Sequence, residues 1–313
     1  MSTQHHNKFG WKPGLPDHRD WKYSHSRMAL EAPPKLPSKV DLRSMFGPCY
    51  DQGDLGSCTG NGIAAVLEFD RKKQKLKDFI PSRLFIYYNE RNYEGTTASD
   101  DGAQIYDGVK VLNEIGVCSS SLWPYDPGYQ TNFAIQPPPN CYAEASQNIA
   151  VCFNAVAPSL NQIKAVIRSG YPVEFGMSVF TYFESANMAS SAILQCPTNP
   201  IDMSTSVGGH AIVIVGYDDT FTTSNGTGVF IVRNSWGAIW GLNGYFFMPY
   251  QYLTGPPNGT NGVDQYGNTY YTDLSGNPLT LLSDLWYISA VTQNNITIGG
   301  TPGSAPLQFY QPN

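Results

Sequence analysis

Charge is scarce in this chain, and histidine scarcer. Only 14% of the 313 residues are Asp, Glu, Lys or Arg, and the net charge of −6 has no basic run behind it. Proteins that hold nucleic acid or an anionic membrane surface neutralise phosphates with clustered Lys and Arg, so neither partner is expected. No apolar run reaches the roughly 20 residues needed to span a bilayer, and Met1–Lys8 lacks the apolar stretch of an export signal. An intracellular setting is therefore expected, with non-classical export as the alternative. Six cysteines (49, 58, 118, 141, 152 and 196) are too sparse for a disulfide scaffold, which points the same way. Of the five histidines, His5, His6, His18 and His25 lie in the N-terminal stretch, leaving His210 alone in the body. A metal site built on several imidazoles is excluded there, and no Cys-x-x-Cys pair offers a substitute, so neither metal nor cofactor is expected.

What is present fits a compact globular chain: 41% hydrophobic residues, 20 Tyr and 30 Gly. Residues 1–35 are punctuated by Pro and Gly, yet Trp11, Trp21 and Tyr23 imply that this stretch packs on something. It reads as an extended arm, either an activation segment or a permanent extension. The body, residues 36–313, divides in character. Its first part, about 50–140, is helical: the run after Cys58 with Ile63, Val66 and Leu67 on one face and a basic end at 71–77, then Pro81–Glu90, then Ile105–Ile115 closed by Gly116. Glu94–Gly102 is a polar loop, and Pro124–Pro139 a connector suited to a lobe boundary. The second part, about 150–313, opens with an amphipathic helix from Ser159 as N-cap to Arg168, closed at Gly170. Strand signals follow at Val173–Val179, His210–Tyr217, Gly228–Asn234, Gly244–Met248 and Asp284–Ile288, predicting a mostly antiparallel sheet or barrel. Residues 254–278 read as a surface excursion.

Asp51–Glu68 is a Gly-rich turn running into an apolar helix, with Gln52 in the turn and Cys58 where the helix starts. A helix N-terminus lowers a cysteine pKa through its unpaired N–H groups and partial positive charge, which makes Cys58 a candidate nucleophile; burial as a plain apolar residue is the alternative. A thiolate needs a base that later protonates the leaving group, and His210 is the only histidine the body offers. It follows Gly208-Gly209 at the start of an apolar strand, where small neighbours would leave the ring open. An imidazolium must in turn be oriented by an acceptor. Asn234, at the end of the next strand and followed by Ser235-Trp236-Gly237, can supply one, with Trp236 shielding the bond from water.

Gln52, Gly56-Ser57-Cys58, Gly209-His210-Ala211, Asn234-Ser235-Trp236-Gly237 and Trp240-Gly241 stand in the order found in papain-like (C1-type) cysteine peptidases, and the chain resembles that family from Val40 to about Tyr250. The 152 residues from Cys58 to His210 are near the ~130–150 of papain and cathepsins. Leu36–Asp41 is similar to the start of the mature family domain, and Trp11–Tyr23 resembles the short N-terminal segments of prokaryotic and viral-type members. The resemblance implies an α+β fold of two lobes, one helical and one an antiparallel β-barrel, with the site in the cleft between them. It implies a zymogen-forming thiol endopeptidase in which Cys58, His210 and Asn234 do the chemistry and Gln52 completes the oxyanion hole. Asp101, Gly102, Ile105, Gly176 and Gly209 would line the cleft. Peptides or proteins are the implied substrates, and the arm could inhibit the site within the molecule. Where the family has a cysteine and an aromatic, this chain has Leu55 and Thr59, so one family disulfide is lost. Two rival readings stay open: the same chemistry on another acyl group (amidase, deamidase or transferase), and a binding protein that keeps the fold without activity. The intact Gln52, Cys58, His210 and Asn234 speak against the second.

Overall fold

The computed structural model describes residues 8–14, 20, 22–25, 35–77, 79–125, 132–256 and 262–293. Trp21, His5, His6 and His18 lie outside them. Helix α1 runs Cys58–Lys73, α2 Arg83–Glu94 and α3 Ile105–Glu114, followed by the short α4, Pro139–Ala145. From Cys58 to Arg71 every residue of α1 is buried. Its small residues permit this: a Cβ on Gly60 would lie 2.9 Å from the Arg83 carbonyl oxygen, and one on Gly62 2.4 Å from Glu174 Oε1. The basic end sits where the dipole favours cations, and its first three side chains find partners. Arg71 donates to Asn148 Oδ1 at 3.0 Å, Lys72 pairs with Glu68 at 2.6 Å, and Lys73 reaches the Gly170 carbonyl at 2.7 Å. Ser82 caps α2 by accepting from the Phe85 N–H, and Gly116 (φ +81°) follows α3 as expected.

The remaining elements form an antiparallel sheet. Its strands are β1 Lys39–Asp41, β2 Asn148–Val156, β3 Val173–Phe180, β4 Ser206–Thr223, β5 Gly226–Arg233, β6 Tyr245–Pro249 and β9 Leu282–Gln293, with order β2-β9-β3-β4-β5-β6 and β1 on β4. Helix α5, Leu160–Arg168, covers one face. Ser159 occupies its N-cap position but makes no side-chain cap bond; Gln162 Oε1 instead accepts from the Ala157 N–H at 3.3 Å. The sequence reading overlooked β2 and α4. The excursion is more ordered than expected: β7 Tyr271–Thr272 pairs with β8 Pro278–Leu279, and Tyr271 is buried.

Alternation along the strands builds two cores. Val173, Phe175, Met177, Val179, Ile212 and Ile214 face a cluster beneath α5, while Ala211, Val213 and Val215 face α1 and its Ile63 and Leu67. Cys58 belongs to the second cluster. The helical and sheet halves therefore meet where α1 starts and β4 passes it. No helix among the described residues is long and apolar enough to cross a membrane.

Candidate active site

Gln52 is fixed in its turn at both ends. Its N–H donates to the Ser235 carbonyl (2.9 Å) and its Oε1 accepts from Ser235 Oγ (2.6 Å). Those contacts turn Nε2 inward, where it donates to the carbonyls of Leu55 and Lys8, both at 2.9 Å. Tyr125 ties the same turn to the start of α1, its hydroxyl donating to the Gln52 carbonyl (2.7 Å) and lying 2.6 Å from Ser57 Oγ.

Cys58 is the first residue of α1 and fully buried. The Ala211 and Gly10 N–H groups point at its sulfur, but burial outweighs them and pushes the thiol up to about 12, with the Glu90 and Glu174 carboxylates acting in the same direction. His210 Nε2 lies 2.8 Å from Asn234 Oδ1. The Ser235 N–H, which can only donate, is 2.9 Å from that same Asn234 atom. The atom is therefore the amide oxygen, and the proton of neutral His210 sits on Nε2. Nδ1 is left buried with no hydrogen-bond partner. Because the residue after His210 reaches the Cys58 sulfur, thiol and imidazole share one helix–strand junction. Burial holds His210 down to about 4, only partly offset by Asn234. Trp236 stacks on the imidazole (centroids 5.3 Å apart, 28° between planes), giving the expected shield.

The ring is not open, as its small neighbours suggested. β4 begins four residues earlier, at Ser206, and Phe183 and Phe9 close on His210 with centroids 6.0 and 5.6 Å away. Phe9 belongs to the arm, which runs along the cleft as an extra extended segment. Trp11 N donates to the Gly209 carbonyl (3.0 Å), Ala103 N to the Gly10 carbonyl (2.7 Å), and Lys12 N to the Ala103 carbonyl (3.0 Å). A Cβ on Gly102 would fall 1.8 Å from the Gly10 oxygen. Lys8 pairs with Asp100 and Lys12 with Glu94, at 2.8 and 2.6 Å. The Trp11 indole is 8% exposed and lies where Cβ atoms on Gly176 and Gly209 would be, 1.9 and 2.6 Å from the nearest ring atoms. Its Nε1–H donates to Asp284 Oδ2 (3.3 Å), whose carboxylate also takes Trp286 Nε1–H (2.8 Å) and the Ile105 N–H.

Of the expected lining residues, Gly102, Ile105, Gly176 and Gly209 thus surround the arm. Asp101 does not: its exposed carboxylate turns to Ser99 Oγ. Its neighbour Asp100 is the built-in group, accepting from the Gly56 N–H (3.0 Å) and Tyr87 Oη (2.5 Å). Ser235, Asp284, Tyr125 and the buried Glu90 and Glu174 also escaped the sequence reading. Only Ser235 carried a signal, its place directly after Asn234. Glu90 accepts from Thr59 Oγ1 (2.7 Å), while neither oxygen of Glu174 has a hydrogen-bond partner; burial pushes Glu90 up to about 8 and Glu174 well above the carboxylate range. Among the described residues no three His, Cys, Asp or Glu side chains gather to hold a metal ion.

A sequence profile of the papain family cysteine proteases matches residues 36–255. An uncharacterized peptidase C1-like protein of Acanthamoeba polyphaga mimivirus is 37% identical over 267 residues, covering 78% of this chain and 82% of the viral one. Mouse procathepsin L is 24% identical over 224 residues, 67% of this chain and 60% of its own length. The crystal structure of xylellain, a cysteine protease from Xylella fastidiosa, superposes with a TM-score of 0.73 at 34% identity, covering 93% of this chain and 98% of xylellain. The profile alone spans well over half of the sequence, and together with the viral relative it establishes that the chain belongs to the papain family of cysteine proteases.

Proposed function

We propose that this cysteine-type peptidase cleaves peptide bonds with Cys58 as nucleophile, His210 as proton carrier, Asn234 as the orienting acceptor and Gln52 as an oxyanion donor, and that residues 8–12 hold it inactive. His210 Nδ1 takes the Cys58 proton, and the sulfur attacks the substrate carbonyl carbon. The negative oxygen that forms is held by Gln52 Nε2 and the Cys58 N–H at the start of α1. His210 returns the proton to the departing amine, and water then hydrolyses the thioester. The observation that carries this reading is the pairing of His210 Nε2 with Asn234 Oδ1 at 2.8 Å, which leaves Nδ1 buried and unengaged while the N–H of the next residue, Ala211, reaches the Cys58 sulfur.

Inhibition by the arm is supported on two counts. The Lys8 carbonyl occupies the Gln52 donor, so an incoming carbonyl must displace it. The sulfur meets the Gly10 N–H rather than a carbonyl carbon, so the arm covers the nucleophile without offering it a bond to cleave. The cover also excludes water, and with the thiol raised and the imidazole lowered the pair rests neutral as Cys–SH and His. Displacing Phe9 and Gly10 readmits solvent and favours the thiolate–imidazolium pair.

A fluorogenic peptide assay on the full chain, on a chain starting at residue 35 and on Cys58→Ala tests both parts. Turnover in the shortened chain, low turnover in the full chain and none in Cys58→Ala is expected. Unchanged turnover in Cys58→Ala overturns the residue assignment.

A further inference from the structure

The chain lacks one family disulfide, and all six cysteines are free thiols in the structure. Two of them are nevertheless brought together far from Cys58 in sequence. Cys118 follows α3, its carbonyl accepting from the Ser82 N–H at 2.9 Å. Cys141 lies in the first turn of α4, its N–H donating to the Pro138 carbonyl at 2.9 Å. Neighbouring residues fix the two segments side by side. A Cβ on Gly116 would fall 2.0 Å from the Ala145 carbonyl oxygen, and Glu144 Oε2 accepts from both the N–H and Oγ of Ser119 at 3.0 Å. The Val117 N–H donates to the Asn148 carbonyl at 3.2 Å. Between these contacts the two thiols come within hydrogen-bonding reach of each other. Both side chains are 0% exposed and share one apolar cluster with Val117 and Ala145. Three other cysteines have different surroundings: Cys49 beside Arg233, Cys58 under Gly10 and Cys196 beside Tyr271.

We propose that Cys118 and Cys141 are a disulfide-forming pair that ties the connector between the two lobes to the helical lobe when the chain folds in an oxidising milieu. The bond would close the 119–140 segment at its base. That segment carries Tyr125, whose hydroxyl holds the Gln52 carbonyl and approaches Ser57 beside the nucleophile. The co-reactant is a small disulfide such as glutathione disulfide. One cysteine thiolate attacks it, forming a mixed disulfide and releasing one glutathione. The second cysteine thiolate then attacks the protein sulfur of that mixed bond and releases the other. Two protein thiols are oxidised, one glutathione disulfide is reduced to two thiols, and the two protons lost from the cysteines end on the glutathiones. Burial raises both thiols and shuts out the co-reactant, so the exchange belongs to folding rather than to the finished protein.

The test is pairing by mass spectrometry. The full chain is made in a cell-free extract poised with glutathione and glutathione disulfide, and separately refolded from denaturant in the same buffer; free thiols are alkylated with iodoacetamide after denaturation. A Cys118–Cys141 linked peptide with the other four cysteines alkylated is expected. Thermal unfolding should fall by about 5 °C on reduction, from the loop closed and the chain size. That difference should vanish in the Cys118→Ala/Cys141→Ala double variant. Six alkylated cysteines in folded protein, a glutathione adduct at either position, or a link to any other cysteine would each overturn the proposal.

Discussion

Trp11→Ala should turn the full chain into an active peptidase without any cleavage of the arm. The indole is the only large side chain of residues 8–12 that sinks to 8% exposure, and its Nε1–H reaches the Asp284 carboxylate. Truncating such a buried Trp costs roughly 3–5 kcal/mol. The other anchors are weaker: Lys8 is 48% exposed in its pair with Asp100, and exposed ion pairs contribute about 0–1 kcal/mol. Since about 1.4 kcal/mol is a factor of ten, the loss raises the population with a free cleft by roughly 10²-fold to several thousandfold, up to the ceiling set by a chain without the arm. The assay is initial-rate hydrolysis of a fluorogenic peptide by wild type, Trp11→Ala and the chain starting at residue 35. Each is titrated for active sites with an epoxide-type thiol inhibitor, and intact mass is checked before and after. Equal rates for wild type and the shortened chain would refute inhibition by the arm. A Trp11→Ala rate no higher than wild type, with the shortened chain a hundredfold faster, would refute the role given to the indole.

Ser235→Ala removes the hydroxyl that holds Gln52 Oε1, so kcat of the arm-free chain should fall roughly tenfold with KM little changed, short of the 10²- to 10³-fold expected for losing a whole oxyanion donor; a loss confined to KM would contradict that role. With the arm removed, Asp284 should favour substrates that put a basic or indole side chain where Trp11 sits, and Asp284→Ala should cut the preference for Arg over Leu there by at least tenfold; an unchanged ratio of kcat/KM values would count against it. Stability should fall as pH rises from 6.5 to 8. Glu90 is raised from 4.5 to about 8, so the folded state holds a proton that the unfolded chain gives up, and this contribution, full below pH 4.5, is lost as pH climbs through 8. His210, lowered to about 4, works oppositely, but only below about 6.5, and Lys73, lowered to about 8, acts only above that value. The buried Glu174, also raised, acts in the same direction, so thermal melts of Cys58→Ala across this window should show a declining midpoint that Glu90→Gln makes shallower; a rising midpoint would contradict the buried-acid account.

The order of Cys58, His210 and Asn234 was legible because each sits at an element boundary that local chemistry marks. Small residues open α1 around Cys58, a Gly pair precedes His210, and a Trp-bearing turn follows Asn234. The antiparallel lobe was legible from the short β-branched and aromatic runs in β3, β4 and β5. β2 was overlooked although Ile149, Val151 and Phe153 alternate along it; its pairing with β9, more than a hundred residues away, is what the sequence does not show. The sequence reading named Asp101 with Gly102 and did not consider Asp100; only the fold turns Asp100 toward Gly56 and Tyr87 and Asp101 outward.

The sequence by itself determined the first three helices, α5 and the core strands β3 to β6, the single imidazole available to the body, and hence the thiol chemistry open to it, since periodicity and residue type act over a few neighbours. Tertiary structure alone decided that Trp11 fills a pocket floored by Asp284, that Ser235 aims Gln52, that Glu90 and Glu174 are buried behind the nucleophile, and that Cys118 meets Cys141. Each of these depends on bringing together segments between two dozen and nearly three hundred residues apart, and chain closure over such distances leaves no mark in local residue patterns.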